Sequence, residues 1–325
     1  MRSRAVRVGA AALVPGLLAA ALLPQTPAPA VKPVALTFDD LPAVGTSNVA
    51  AVRAITNDIL DGLDRHHAPA TGFVIGRGVD TLANHSGPSI LDEWTRRGLP
   101  LGSHTYSHID LSAVTAKAFE DDVIANEKVL EPVWATAAVT AGIRTKYLRF
   151  PFNHAGDTPA KHDAVRAFLA SRGYQIATCT IDTSDYAFND AYALMQQRRD
   201  TQSIVKLWAD YLAYTATEID YYESLNVQVF GHSIPHVMLL HANRLNADLI
   251  EQLLTIFETK GFQFVTLDEA QADPAYRTPE GPPTKYGPMW GYRWANARQI
   301  KINGAAEQEP PDWILKYGKT AIAVK

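Results

Sequence analysis

The sequence predicts an α/β fold in which about seven parallel strands alternate with helices, closed as a barrel or laid out as an open doubly wound sheet. Two observations carry this. Short apolar, β-branched runs recur between longer amphipathic stretches, and such alternation implies right-handed crossovers around a parallel sheet. The residues with chemical promise each follow a strand, at the C-terminal edge where both architectures build their sites. With 325 residues, 47% hydrophobic and 20% charged, the chain can bury a large core.

The elements follow in order. Residues 34–38 read as a buried strand that Leu41-Pro42 and Gly45 stop. Residues 48–66 read as a helix, with Val52, Ile55, Ile59 and Leu63 on one face. Residues 71–75 are strand and 89–97 helix, ended by Gly98. Strand 99–103 leads to a helical region over 112–137, then strand 147–150, helix 159–171 and strand 174–181. A largely helical region covers 190–225, followed by strand 236–240, helix 247–260 capped by Gly261, and a last strand over 262–267.

Both ends differ from this body. Arg2, Arg4 and Arg7 precede an apolar stretch over 10–23, and Ala28-Pro29-Ala30 offers small residues for cleavage, so residues 1–30 read as a secretory signal. That places the protein outside the cytoplasm, secreted or periplasmic, with no stable membrane span once the signal is removed. The catalytic domain is expected over 31–270. Over 271–325 the periodicity is lost and Pro, Gly and aromatics such as Tyr286, Trp290 and Trp294 gather, as in a tail packed on the domain. Stacking on sugar rings is the alternative use of such aromatics. A net charge of -4 without long basic runs argues against a nucleic-acid partner. Cys179 is the sole cysteine, excluding an intrachain disulfide, and its apolar neighbours favour a buried, inert thiol.

Asp39-Asp40 ends the first strand. Beyond a strand end the chain can turn two adjacent carboxylates toward one pocket, although such acids are more often turn or cap residues. His104 and His108 follow the third strand; if the chain turns helical there, both imidazoles share one face, about 5–6 Å apart between β-carbons. Two histidines and one carboxylate form a facial ligand set that leaves positions open for water or substrate. Together these residues suggest a mononuclear metal hydrolase.

Five ordered clusters then resemble the polysaccharide deacetylases of the NodB-homology type, carbohydrate esterase family four. They are Thr37-Phe38-Asp39-Asp40, His104-Thr105-Tyr106-Ser107-His108, Arg149-Phe150-Pro151-Phe152, Asp182-Thr183-Ser184-Asp185-Tyr186 and Leu239-Leu240-His241. The resemblance implies a deformed (β/α) barrel and removal of acetyl groups from an N- or O-acetylated carbohydrate. It implies that Asp40, His104 and His108 bind a divalent metal, zinc foremost, with cobalt or nickel in some members. Asp39 would be the base, Arg149 its holder, His241 the acid and Asp185 the partner of His241. The Phe152 N–H would help bind the oxyanion. Tyr186, where the family usually has Trp, and His154 are candidate pocket residues; His232 and His236 are expected to be structural. Departures such as Asn153-His154 and Ala242 touch pocket walls, and so bear on the substrate more than on the reaction.

The chemistry agrees with these roles. A cation polarises an acetamide carbonyl, a carboxylate accepts water's proton, and an imidazolium protonates the leaving amine. Alternatives are hydrolysis of a non-sugar amide or ester, a non-haem iron redox enzyme, and a non-catalytic carbohydrate-binding protein.

Overall fold

The structure, a computed structural model, describes residues 31–319, so the secretory signal expected over 1–30 lies outside the described residues. Among the described residues there are eight strands: β1 (Lys32–Leu41), β2 (Ala70–Val74), β3 (Leu101–Ser103), β4 (Lys146–Leu148), β5 (Tyr174–Ile176), β6 (Ile181–Asp182), β7 (His236–His241) and β8 (Phe262–Phe264). Every pairing is parallel, in the order β5-β4-β3-β2-β1-β7-β6, with β8 joined to β1.

The strand expected over 174–181 is in fact broken in two. β5 pairs with β4, whereas β6 pairs with β7 at the other end of the sheet. Between them the Ala177 N–H donates to the Leu148 carbonyl at 2.8 Å and the Thr180 N–H to the Val237 carbonyl at 2.9 Å. One bent stretch thus joins both edges and curls the sheet into a deformed barrel of seven staves. The last strand also stops early, at Phe264, because Thr266 and Glu269 form a capping box that starts the helix Leu267–Gln271.

Local sequence sets the helices. Asn48 accepts from the Ala51 N–H at 3.1 Å and starts Val49–Arg65, whose Val52, Ile55, Ile59 and Leu63 are buried. Thr115 and Thr158 cap Ala116–Thr140 and Pro159–Ser171 in the same way, and each such cap is worth about 1 kcal/mol. The two long helices after β6, Asp185–Arg198 and Thr201–Phe230, meet at Arg199, whose φ is 56°. No helix among the described residues is long and apolar enough to cross a membrane.

Strand alternation decides what enters the barrel. Ala35, Phe73, Tyr147, Ala177 and Val237 pack together inside it, and Leu267 and Ala270 join them from the short helix after β8. Two residues further along β1 and β7, and again two beyond, the same inward face carries Thr37 and Asp39, and Leu239 and His241; after Tyr147 it carries Arg149. The apolar floor therefore passes into a polar upper layer at the C-terminal edge.

The described part of the segment after 271 packs against this body. Trp290 and Trp294 are buried in the main core, and the Trp290 N–H donates to the Cys179 carbonyl at 3.0 Å. Burying each indole stabilises this packing by roughly 3 kcal/mol.

Candidate active site

On a regular strand, Asp39 and Asp40 would face opposite ways. Here the β1–β2 register shifts between Phe38 and Leu41, and Asp40 has a φ of 65°. This bulge re-aims Asp40, so both carboxylates line one pocket while still inside the strand rather than beyond its end.

His104 and His108 reach the same pocket without a helix. Residues 104–110 form a loop, with Thr105 at φ 62° and His108 at φ 57°, which corrects the helical turn expected there. The loop is pinned from the helix Ala116–Thr140: Asp122 accepts from the Ser107 N–H at 2.9 Å and the Ser107 hydroxyl at 2.8 Å. The imidazole centroids end 4.8 Å apart, edge to face.

The His104 Nδ1 donates to the Arg149 carbonyl at 2.9 Å, which leaves a lone pair on Nε2. That Nε2 and the His108 Nε2 each lie 3.4 Å from Asp40 Oδ1. Burial and the neighbouring His108 hold His104 well below its usual pKa, and burial lowers His108 as well. Both imidazoles are thus suited to stay neutral, as a ligand must. Asp40 Oδ1 is buried with no hydrogen-bond partner. Ligand atoms of Asp40, His104 and His108 lie within 4.8 Å of one another, and this orphaned oxygen beside two nitrogens fits a divalent cation.

Asp39 sits deeper. Arg149 is fully buried, with Nη1 3.6 Å from Asp39 Oδ2 and Nη2 donating to the Thr37 hydroxyl at 3.0 Å. Burial pushes Asp39 up to about 6, against the pull of the Arg149 and His241 cations. Asp39 is therefore mostly ionised at neutral pH yet basic enough to take a proton.

His241 lies beside Asp39 in the β1–β7 ladder. Its Nδ1 is 2.6 Å from Asp185 Oδ1, and its backbone N–H donates to Asp185 Oδ2 at 2.9 Å. The buried Asp185 carboxylate also accepts from the side-chain amides of Asn243, at 3.0 Å, and Asn246. These donors, His241 foremost, outweigh burial and hold Asp185 below its usual value. Burial opposes a charge on His241, but the Asp185 charge and hydrogen bond outweigh it, and Asp40 and Asp39 add to them. The result is a pKa of about 10. His241 is therefore protonated at neutral pH, with Nε2 free of the Asp185 contact.

The pocket these groups share has a volume of about 480 Å³. Phe152 and Tyr186 wall it, the first with its ring 4.5 Å from that of His108, the second 6.4 Å from that of His241. His154 is not among its lining residues: its Nδ1 pairs with Asp110 Oδ1 at 2.8 Å, which corrects its expected place in the pocket. His236 is buried at the far end of β7, with Nδ1 3.3 Å from the Thr180 hydroxyl, and His232 is exposed. Cys179 is buried, and its thiol is pushed up to about 12 by that burial.

Several residues were not anticipated. Asn243 and Asn246 anchor Asp185; an N-cap asparagine before an amphipathic helix is legible in sequence, but its second contact is not. Asp182, part of the fourth cluster but given no role there, lines the pocket, raised to about 6 by burial. Gly287 and Met289 line it from the tail, and no spacing signals that. Phe152 and Asn153 both adopt positive φ, 58° and 55°, a conformation that glycine takes more readily. The tail braces this loop, Arg293 Nη2 donating to the Asn153 carbonyl at 2.6 Å.

Residues 27–181 match the family model for polysaccharide deacetylase. The chain is 25% identical over 240 residues to a peptidoglycan-N-acetylglucosamine deacetylase of Bacillus cereus, a match covering 72% of this chain and 66% of that protein. It is 26% identical over 242 residues to a chitin deacetylase of Colletotrichum lindemuthianum, covering 74% and 79% respectively. Among solved structures, a polysaccharide deacetylase from Bacillus cereus superposes with a TM-score of 0.46 at 22% identity, covering 72% of this chain and 91% of that one. The chain thus spans just under two thirds of the length of its Bacillus cereus sequence relative.

Proposed function

We propose that this chain, which belongs to the polysaccharide deacetylase family, removes acetyl groups from an N- or O-acetylated carbohydrate with the help of a divalent metal. The observation that carries the proposal is one pocket holding a cation-ready trio, Asp40, His104 and His108, together with a base and an acid, Asp39 and His241. A redox or purely binding role gives the Asp185–His241 pair no work.

Bound by the trio, a divalent cation, zinc foremost, supplies Lewis acidity toward the acyl oxygen and eases water's loss of a proton. Asp39 accepts that proton, and Arg149 keeps its carboxylate charged and aimed. The Phe152 N–H donates to the oxygen on which negative charge develops. His241 Nε2 then delivers a proton to the departing nitrogen or oxygen as the tetrahedral species collapses. Phe152 and Tyr186 flank the sugar. A secretory signal over 1–30, a catalytic domain over 31–270 and a secreted or periplasmic setting belong to the same proposal.

Acetate release by the metal-loaded protein from N-acetylated glucosamine oligomers and acetylated xylan tests it. The expected result is release that chelation abolishes and added metal restores. Release insensitive to chelation, or hydrolysis of small non-sugar amides alone, would count against it.

The loop carrying Phe152 gives a second test. A Cβ on Gly287 would stand 1.9 Å from the Phe152 carbonyl oxygen and 3.0 Å from the Asn153 Cβ, so Gly287→Ala must shift this loop or the tail. We expect a fall in kcat/KM on the order of 10- to 100-fold, since displacements near 1 Å at a reacting centre cost that much. Melting should change by only a few degrees. Unchanged turnover would remove Phe152 from the oxyanion site.

A further inference from the structure

Buried polar groups behind Asp185 continue past the residues so far given a role. Asn246 is fully buried, and its Nδ2 donates both to Asp185 Oδ2 and to the His241 carbonyl, the latter at 2.9 Å. Turned the other way, the amide would aim its oxygen at a carboxylate and a carbonyl, and no proton would lie between them. With Nδ2 so used, Asn246 Oδ1 needs a donor of its own, away from water. The Tyr211 hydroxyl supplies it at 2.8 Å.

Tyr211 belongs to the helix Thr201–Phe230, and none of the five sequence clusters contains it. It is fully buried, its ring centred 5.0 Å from that of Phe188, in a hydrophobic cluster with Leu207, Leu249 and Leu253. That burial pushes the phenol well above its usual pKa, so the hydroxyl keeps its proton to donate. Tyr214, nearly one turn further along the helix, uses its hydroxyl elsewhere and donates to the Gln308 carbonyl at 2.8 Å. One tyrosine thus ties the helix to the tail, and the other ties it to the acid.

We infer that Tyr211 is a positioning residue for the acid step: by fixing the Asn246 amide it holds Asp185, and through Asp185 the His241 imidazole, in line with the departing group. The inference rests on the deacetylase reading and gives the helix Thr201–Phe230 a part in it. As the tetrahedral species collapses, the bond from the acyl carbon to nitrogen or oxygen breaks, and the departing atom's electron pair takes the proton from His241 Nε2. A sugar amine or alkoxide leaves poorly without that proton. The 4-nitrophenolate of 4-nitrophenyl acetate, a much weaker base, leaves without it, so the two kinds of substrate separate the acid step from the rest of the site.

The test uses metal-loaded wild type, Tyr211→Phe and Tyr214→Phe, each variant losing one buried hydroxyl from the same helix. Their turnover is measured on 4-nitrophenyl acetate and on N-acetylglucosamine pentasaccharide or acetylated xylan, whichever the wild type accepts. Tyr211→Phe should lower kcat on the glycan roughly three- to tenfold with KM little changed, and should leave the nitrophenyl ester within about twofold of wild type. Tyr214→Phe should lower melting by a similar few degrees and keep the wild-type kcat on the glycan. That contrast in kcat decides the matter even if the ester is not a substrate. If the wild type deacetylates a glycan and Tyr211→Phe matches it, or slows both substrates alike, or Tyr214→Phe slows the glycan equally, this inference fails and the deacetylase reading stands. Should the wild type release no acetate from either glycan, both fall together.

Discussion

Replacing Asp39 by asparagine should lower kcat by about 10²- to 10⁴-fold, the usual worth of a positioned general base. The amide matches the carboxylate in size and offers Arg149 an acceptor oxygen, so the barrel should survive, but it cannot take a proton from water. Metal uptake should persist, because Asp40 and not Asp39 lies 3.4 Å from both imidazole Nε2 atoms, whereas Asp39 Oδ2 is 3.8 Å from that of His104 alone. Turnover and metal stoichiometry measured on one preparation separate the two carboxylates. Undiminished turnover would end the assignment of Asp39 as base.

Asp185→Asn should be nearly as damaging, and its signature is a pH profile. The His241 pKa stands at about 10 because the Asp185 carboxylate overcomes a burial that opposes the imidazolium. A raised pKa keeps the acid form present below it and loses that form as pH rises through it. Without the carboxylate, burial pulls the value down, so the alkaline limb of kcat/KM should move to lower pH. Near pH 8, kcat should fall by roughly 10²-fold or more as the acid is lost. The acid limb, set by other groups, should move far less. An unshifted alkaline limb would mean that His241 is not the acid.

Most of the frame was legible because periodicity and capping report on the local chain. The helix face of Val52, Ile55, Ile59 and Leu63 is buried as its spacing required, and Asn48 caps that helix. Parallel alternation gave the sheet, since a helix between successive strands permits little else. What escaped was set by contacts between distant segments. Residues 174–181 read as one strand; only the partners Leu148 and Val237, on separate staves, bend it. The loop at 104–110 could not be told from a helical turn, because Asp122, which pins it, lies on the next helix. The Thr266–Glu269 capping box was present in the sequence, yet the β-rich run before it drew the strand too far.

The site divides the same way. Asp39, Asp40, His104, His108, Arg149, Asp185 and His241 come together from five segments at one end of the barrel, and each follows or ends a strand. His154 failed as a pocket residue because its neighbour Asp110 claims it, a pairing across 44 positions that no local rule reveals. Gly287 and Met289 belong to a stretch without periodicity, so their place in the pocket emerges only from tertiary packing.

The central claim is that Asp40, His104 and His108 together hold one divalent cation while Asp39 stays free to act as base. Calorimetric titration of zinc into the metal-free wild type, Asp39→Asn and Asp40→Asn tests it most directly. The account predicts one ion per chain for the wild type and Asp39→Asn, and binding weakened by at least tenfold in Asp40→Asn. Equal affinity in Asp40→Asn, or loss of the ion from Asp39→Asn, would contradict it.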